Sequence, residues 1–189
     1  MKNVDLTRKL MLPCGYRQRI TEYNIEVHGM LTFNQWGLLP PGDYPMTFDD
    51  LKRSILVIGP EDPDWDQQWR LYLVENLEIM VKQLWTVGIT DIFINGSFVE
   101  MKLHPNDIDG YFGADIHRIA TGDLQRELNQ LEPDKIWTWD PASRRPYRGY
   151  TKKQLPMWHK YRLELYPHYN QSSGIVDQIW KRAAISCRF

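Results

Sequence analysis

The chain has 189 residues, 42% of them apolar and 25% charged, with a formal net charge of −1. That length predicts one domain with at most a small appendage, in a composition ordinary for a soluble globular protein. The near-neutral charge excludes a protein whose whole surface grips nucleic acid, while leaving room for a local basic patch. No transmembrane span is evident, and Lys9-Leu10-Met11-Leu12, broken by Pro13 and Gly15, is too short for a signal-peptide core. Cys14 and Cys187 lie at opposite ends without metal-ligand spacing, which predicts free thiols in a reducing, cytoplasmic compartment.

Residues 1–30 read as an N-terminal extension with a strand at Arg19 to Val27, and 31–189 as the domain. Leu39-Pro40-Pro41-Gly42 predicts a rigid extended segment, because consecutive prolines fit neither a helix nor a central strand. Thr47-Phe48-Asp49-Asp50 looks like an N-cap with an acidic first turn, opening a helix to about Val57. After a Pro- and Asp-rich break, Trp69, Leu73, Leu77, Met80, Leu84 and Val87 recur at spacings of three and four, a helical stripe that Gly88 ends. Ile89 to Ile94 is β-branched and apolar, hence a strand, and Gly96 supplies a tight turn after it. A second strand is expected from Asp107 through Phe112. Gly122-Asp123 then opens a helix with Leu124, Leu128 and Leu131 on one face, and Asp134 to Asp140 is a short strand. Pro141 to Pro156 is a basic loop. Lys160 to Tyr166 alternates as a strand with Arg162, Glu164 and Tyr166 on one face, and a helix from Gly174 to Ser186 closes the chain. Adjacent strands flanked by helices predict an α+β fold with a short mixed sheet.

Two places carry chemistry. In Gly96-Ser97 a glycine lets backbone approach a ligand closely and a serine adds a hydroxyl donor. Asp107 and Asp109, two apart in an extended strand, share a face; side by side they repel unless a cation sits between them, and hard oxygen ligands suit Mg²⁺, or Mn²⁺ in its place. The alternative is a solvated turn after Pro105-Asn106. Lys102, between the two motifs, could reach a phosphate or stay solvated. Segment 144–162 carries Arg144, Arg145, Arg148, Lys152, Lys153, Lys160 and Arg162 interleaved with Tyr147, Tyr150, Trp158 and Tyr161. Cations between aromatics suit phosphate contact with base stacking, and equally a solvated loop. The histidines at 104, 117, 159 and 168 have no ligand spacing.

Gly96-Ser97, nine intervening residues and Asp107-Ile108-Asp109 resemble the signature of the DNA polymerase β-like nucleotidyltransferase superfamily. Leu39 to Gly42, the Gly-Ser-Phe-Val run from Gly96 and Pro105 to Asp109 are similar to small bacterial and phage-borne nucleotidyltransferase-like proteins, over roughly Phe33 to Phe112. The resemblance implies a minimal nucleotidyltransferase fold with a third carboxylate on a neighbouring strand. Glu164 is the candidate, its alternative role being a surface pair with Arg162 or Lys160. Asp115 shares parity with Asp109, but six residues of strand, about 20 Å, put it out of reach.

On that resemblance Asp107, Asp109 and Glu164 hold Mg²⁺, and Gly96, Ser97, Lys102 and Arg162 contact an NTP. Nucleoside monophosphate then passes to an RNA, with a tRNA end as the first candidate, or to a protein hydroxyl. Such proteins include toxins and phage-defence components, so an antitoxin-like partner is also implied. Two non-enzymatic readings stand beside this one: a degenerate module that binds nucleotide, RNA or protein without turnover, and an antitoxin-like or scaffold partner whose N-terminal forty or so residues carry the interface.

Overall fold

The computed structural model describes residues 31–149, 151–169 and 186–188. The expected strand at 19–27 and most of the expected last helix lie outside them; of that helix only Ser186 is described, and it begins a strand.

The fold is α+β, with a five-stranded mixed sheet in the order β1 (Asp43–Pro45), β7 (Ser186–Arg188), β2 (Ile92–Asn95), β3 (Ile108–Gly113), β6 (Leu163–His168). β3 is the hinge of its topology: antiparallel to β2, with Asn95 opposite Asp109, and parallel to β6, with Asp109 opposite Glu164. Helix α3 (Gln67–Thr86) buries Leu73, Leu77, Met80 and Leu84 against Ile92, Ile94, Ile108, Phe112, Leu163 and Leu165 of the sheet. Alternation along the strands therefore turns Asp109, Tyr111, Glu164 and Tyr166 to the opposite face. Asp66 caps α3, its carboxylate accepting the Trp69 N–H at 2.9 Å, and Gly88 follows at φ 83° in the left-handed conformation that ends helices.

Several expected boundaries move. The helix from Phe48 is two: α1 (Phe48–Lys52), opened by a Thr47–Asp50 capping box, and α2 (Ile55–Ile58). Ser54 separates them, its hydroxyl donating back to the Leu51 carbonyl while accepting the Leu56 N–H as a new N-cap. β3 ends at Gly113, and Asp115 caps α4 (Ile116–Ala120) by accepting the His117 and Arg118 N–H groups. Asp115 is a cap rather than a strand acid. In α5 (Asp123–Leu131) Leu124 and Leu128 are buried but Leu131, at the final turn, is exposed. The expected strand at 134–140 has no ladder; the Asn129 amide replaces it, pairing with both the N–H and the carbonyl of Trp137.

The basic segment is structured. After a 3₁₀ turn at Pro141–Ser143 come β4 (Arg145–Pro146), paired antiparallel with β5 (Lys153–Gln154), and α6 (Pro156–Tyr161). Lys160 and Tyr161 therefore end a helix rather than begin a strand, and Arg162, at φ 60°, is its left-handed cap. The alternation from 160 to 166 misled because the half-turn at Arg162 resets the face. Lys160 and Tyr161 turn to buried Glu132, which also accepts from Gln83 at 2.9 Å. Among the described residues no helix is long and apolar enough to cross a membrane.

Candidate active site

Gly96 and Asp109 meet where β2 ends. The antiparallel register sets Asn95 opposite Asp109, so the next residue turns beside that carboxylate. Gly96 has φ 70°, and a Cβ there would lie 2.9 Å from Asp109 Oδ2. Only glycine fits both demands. Ser97, half-buried, continues into the 3₁₀ turn Gly96–Val99, and its hydroxyl bonds to no other described residue.

Helix α3 pins the loop from this turn to Asp107. Arg70, fully buried, donates to the carbonyls of Phe98 (2.8 Å), Glu100 (3.1 Å) and Lys102 (2.6 Å), and to Leu56 on α2 (2.7 Å). Its guanidinium lies 4.0 Å from the Trp65 ring centre and 5.1 Å from that of Phe98. Burial lowers its pKa to about 10, which leaves it charged at neutral pH. The loop is held further by Asp66 N–H to the Leu103 carbonyl (3.1 Å), by His104 on the Asp66 carboxylate (2.8 Å) and stacked on Trp69 (5.0 Å), and by the Trp69 indole N–H to Pro105 (2.5 Å). Lys102 thus serves this clamp through its carbonyl, while its side chain is exposed and bonds to no described residue.

Asp107 precedes β3 instead of lying in it, so the pleat does not aim its side chain. The Trp158 indole N–H does, donating to Asp107 Oδ2 at 2.6 Å. Trp158 is covered by the Tyr147 ring edge at 5.1 Å and by the Arg162 guanidinium, 4.0 Å from its ring centre and 4.2 Å from that of Tyr147. Arg162, expected at a phosphate, is instead the cation of an aromatic sandwich, since its backbone caps α6 and does not extend along β6.

Glu164, opposite Asp109 on β6, is buried and fully engaged. Arg144 grips both oxygens (3.2 and 3.3 Å), the Leu155 N–H reaches Oε1 at 2.9 Å, and the Tyr166 hydroxyl donates to Oε2. Burial, followed by the bond to Glu164, pushes the Tyr166 hydroxyl up to about 12. Burial would lower the Arg144 guanidinium, but Glu164 and Tyr166 outweigh it and hold its pKa above the usual value. Among the described residues Asp109 has no such partner: burial, then Asp107, then Glu164 push it up to about 6, and Lys152 draws it down.

Asp107 and Asp109 are the residues that could hold a divalent cation, and two features bear on that. Gly96 brings backbone without a side chain close to Asp109 Oδ2, and burial together with the neighbouring carboxylates makes Asp109 reluctant to ionise without a counter-charge. Glu164 does not complete a cage in this arrangement, and among the described residues no three His, Cys, Asp or Glu are grouped to hold a metal. The structure thus brings Gly96, Ser97, Asp107, Asp109 and Glu164 to one end of the sheet and turns Lys102 and Arg162 to other tasks. Sequence reasoning missed Arg70, although a charged residue three before Leu73 on the apolar stripe was a readable signal. It also missed the pairing of Trp158 with Asp107, for which the sequence carries none.

Comparison with curated proteins and with solved structures finds no match. A family model matches residues 31–184, and the chain belongs to that family, DUF6932, a family of unknown function.

Proposed function

We propose that the protein is a Mg²⁺-dependent nucleotidyltransferase that moves a nucleoside monophosphate from an NTP onto an RNA hydroxyl, with a tRNA end as the first candidate. The observation that carries it is the approach of the Gly96 turn to the Asp109 carboxylate, so close that a side-chain carbon at Gly96 would lie 2.9 Å from Oδ2. Asp107 and Asp109 would hold the cation, which supplies charge neutralisation for the triphosphate and for its leaving group. The Ser97 hydroxyl and the N–H groups of the 3₁₀ turn donate to phosphate oxygens, as oriented amides do in other anion nests. Glu164, its oxygens taken by Arg144, Leu155 and Tyr166, is not free to accept the acceptor's proton, so that role falls to Asp109. Lys152, whose charge is felt at Asp109, adds a cation on the side of the basic hairpin. Such a reaction suits a cytoplasmic toxin or phage-defence component held in check by an antitoxin-like partner.

One observation favours a second reading, in which the fold binds nucleotide without turnover: the ion pair of Glu164 with Arg144 leaves two carboxylates where the superfamily pattern implies three. The experiment is incubation with each labelled NTP, Mg²⁺ and total tRNA or lysate, beside an Asp107→Ala, Asp109→Ala variant. Label on tRNA from wild type alone is the expected result; label on protein alone would replace the acceptor. Label transfer that persists in the variant overturns the site, and NTP binding without any transfer favours the second reading.

A further inference from the structure

We propose that Trp158 is the positioning residue that presents Asp107 to the divalent cation, an inference that rests on the metal-dependent reading above. Asp107 stands one residue before β3, where strand alternation has not yet taken hold, so its side chain needs an outside constraint to face the same site as Asp109. Trp158 supplies it through the 2.6 Å bond from its indole nitrogen to Oδ2. An indole N–H can only donate, so it holds one carboxylate oxygen without competing as ligand or base and leaves Oδ1 for a cation.

The indole itself cannot turn. It is 5% exposed, with Tyr147 and His159 edge-on at 5.1 and 5.5 Å and the Arg162 guanidinium over its face. Arg162 also ties the clamp to the sheet, because its carbonyl accepts the N–H of Ile108, the first residue of β3, at 3.0 Å. The same turn of α6 therefore fixes where β3 starts and how the residue before it points. This is the geometry of an outer-shell partner, which orients a ligand it does not replace. It also gives the aromatics and Arg162 of the basic segment a task at the acidic site instead of at a bound base.

The test measures Mn²⁺ and Mg²⁺ affinity, by Mn²⁺ electron paramagnetic resonance and by calorimetry, for wild type, Trp158→Phe and Asp107→Asn. It is joined by the ¹H–¹⁵N resonance of the Trp158 indole during Mg²⁺ titration. Phenylalanine keeps most of the ring packing and loses the donor, so a roughly tenfold weaker cation affinity is expected in a folded variant. In wild type the indole resonance shifts with saturation, and in Asp107→Asn the shift disappears. A merely structural Trp158 would lower the melting temperature of Trp158→Phe without moving its cation affinity. That result, with Asp107→Asn impaired, overturns the positioning role and leaves the metal site standing. Wild-type protein that binds no cation, or Asp107→Asn that binds like wild type, overturns the metal reading and this inference together. Should Trp158→Phe fail to fold, the wild-type indole decides alone: a resonance unmoved at Mg²⁺ saturation overturns the proposal.

Discussion

Asp109 and Glu164 occupy the same register position on adjacent parallel strands, one strand spacing apart and on the same face, and their surroundings treat them oppositely. Glu164 is enclosed by Arg144, the Leu155 N–H and Tyr166, whereas buried Asp109 faces two other carboxylates with, among the described residues, Lys152 opposing them. The sheet thus pairs a carboxylate whose charge is already balanced with one that is short of a counter-ion.

That imbalance predicts how stability varies with pH. Asp109 titrates at about 6 in the folded protein against an ordinary value of 3.8, so its ionised form is disfavoured by folding. Between those values the native state binds the proton and the unfolded chain does not, so this group's effect on stability is neutral below about pH 4, worsens as pH rises to 6, and is fully unfavourable above. With solvent screening allowed for, the cost is about 1–2 kcal/mol. Asp109→Asn is expected to be more stable than wild type by about that amount at pH 8 in chelator, and equal to it near pH 4, in urea titrations. Mg²⁺ should then stabilise wild type and not the variant; a wild-type advantage at pH 8 in chelator would contradict the assignment.

Gly96 and Gly88 separate backbone strain from crowding. Both have positive φ, 70° and 83°, but a Cβ at Gly88 meets nothing within 4 Å while one at Gly96 strikes the Asp109 carboxylate. Gly88→Ala should cost about 1 kcal/mol, the left-handed penalty alone. Gly96→Ala should cost about twice that, and of the two it alone should weaken Mn²⁺ binding, because Asp109 has to move. Equal thermal shifts with unchanged Mn²⁺ affinity in both would remove Gly96 from the site.

Arg70 is expected to be the most sensitive charged residue outside the site. Arg70→Met keeps apolar bulk between Trp65 and Phe98 but strands the carbonyls of Leu56, Phe98, Glu100 and Lys102, for a loss of about 3–5 kcal/mol in denaturant unfolding. Arg70→Lys, with three donors in place of a fork, should recover part of it. A loss below about 1 kcal/mol for Arg70→Met would show that water replaces the guanidinium.

Periodicity made α3 legible, since Leu73, Leu77, Met80 and Leu84 repeat as a helix must to cover a sheet, and all four are buried. Turn chemistry made the Thr47 cap and the Gly88 stop legible for the same local reason. Local signals failed where a single residue reset the chain: the Ser54 hydroxyl split a helix, and the left-handed backbone of Arg162 turned an apparent alternation into a helix end and a strand start. The expectation that Glu164 would neighbour Asp109 matches the register, yet no spacing foretold that Arg144, twenty residues earlier, would hold it.

By itself the sequence determined the periodic elements, the α+β class and the presence of a Gly-Ser turn and an Asp-x-Asp motif at the start of a strand, because each depends on residues close along the chain. Only the tertiary structure decided which carboxylate is neutralised, which cation is spent on an aromatic sandwich and which indole holds Asp107. Those outcomes depend on contacts between residues fifteen (Arg162 with Tyr147), twenty (Arg144 with Glu164) and fifty-one (Trp158 with Asp107) positions apart. Such contacts are made by the register of β3 against β6 and by the docking of α6, and no local propensity encodes them.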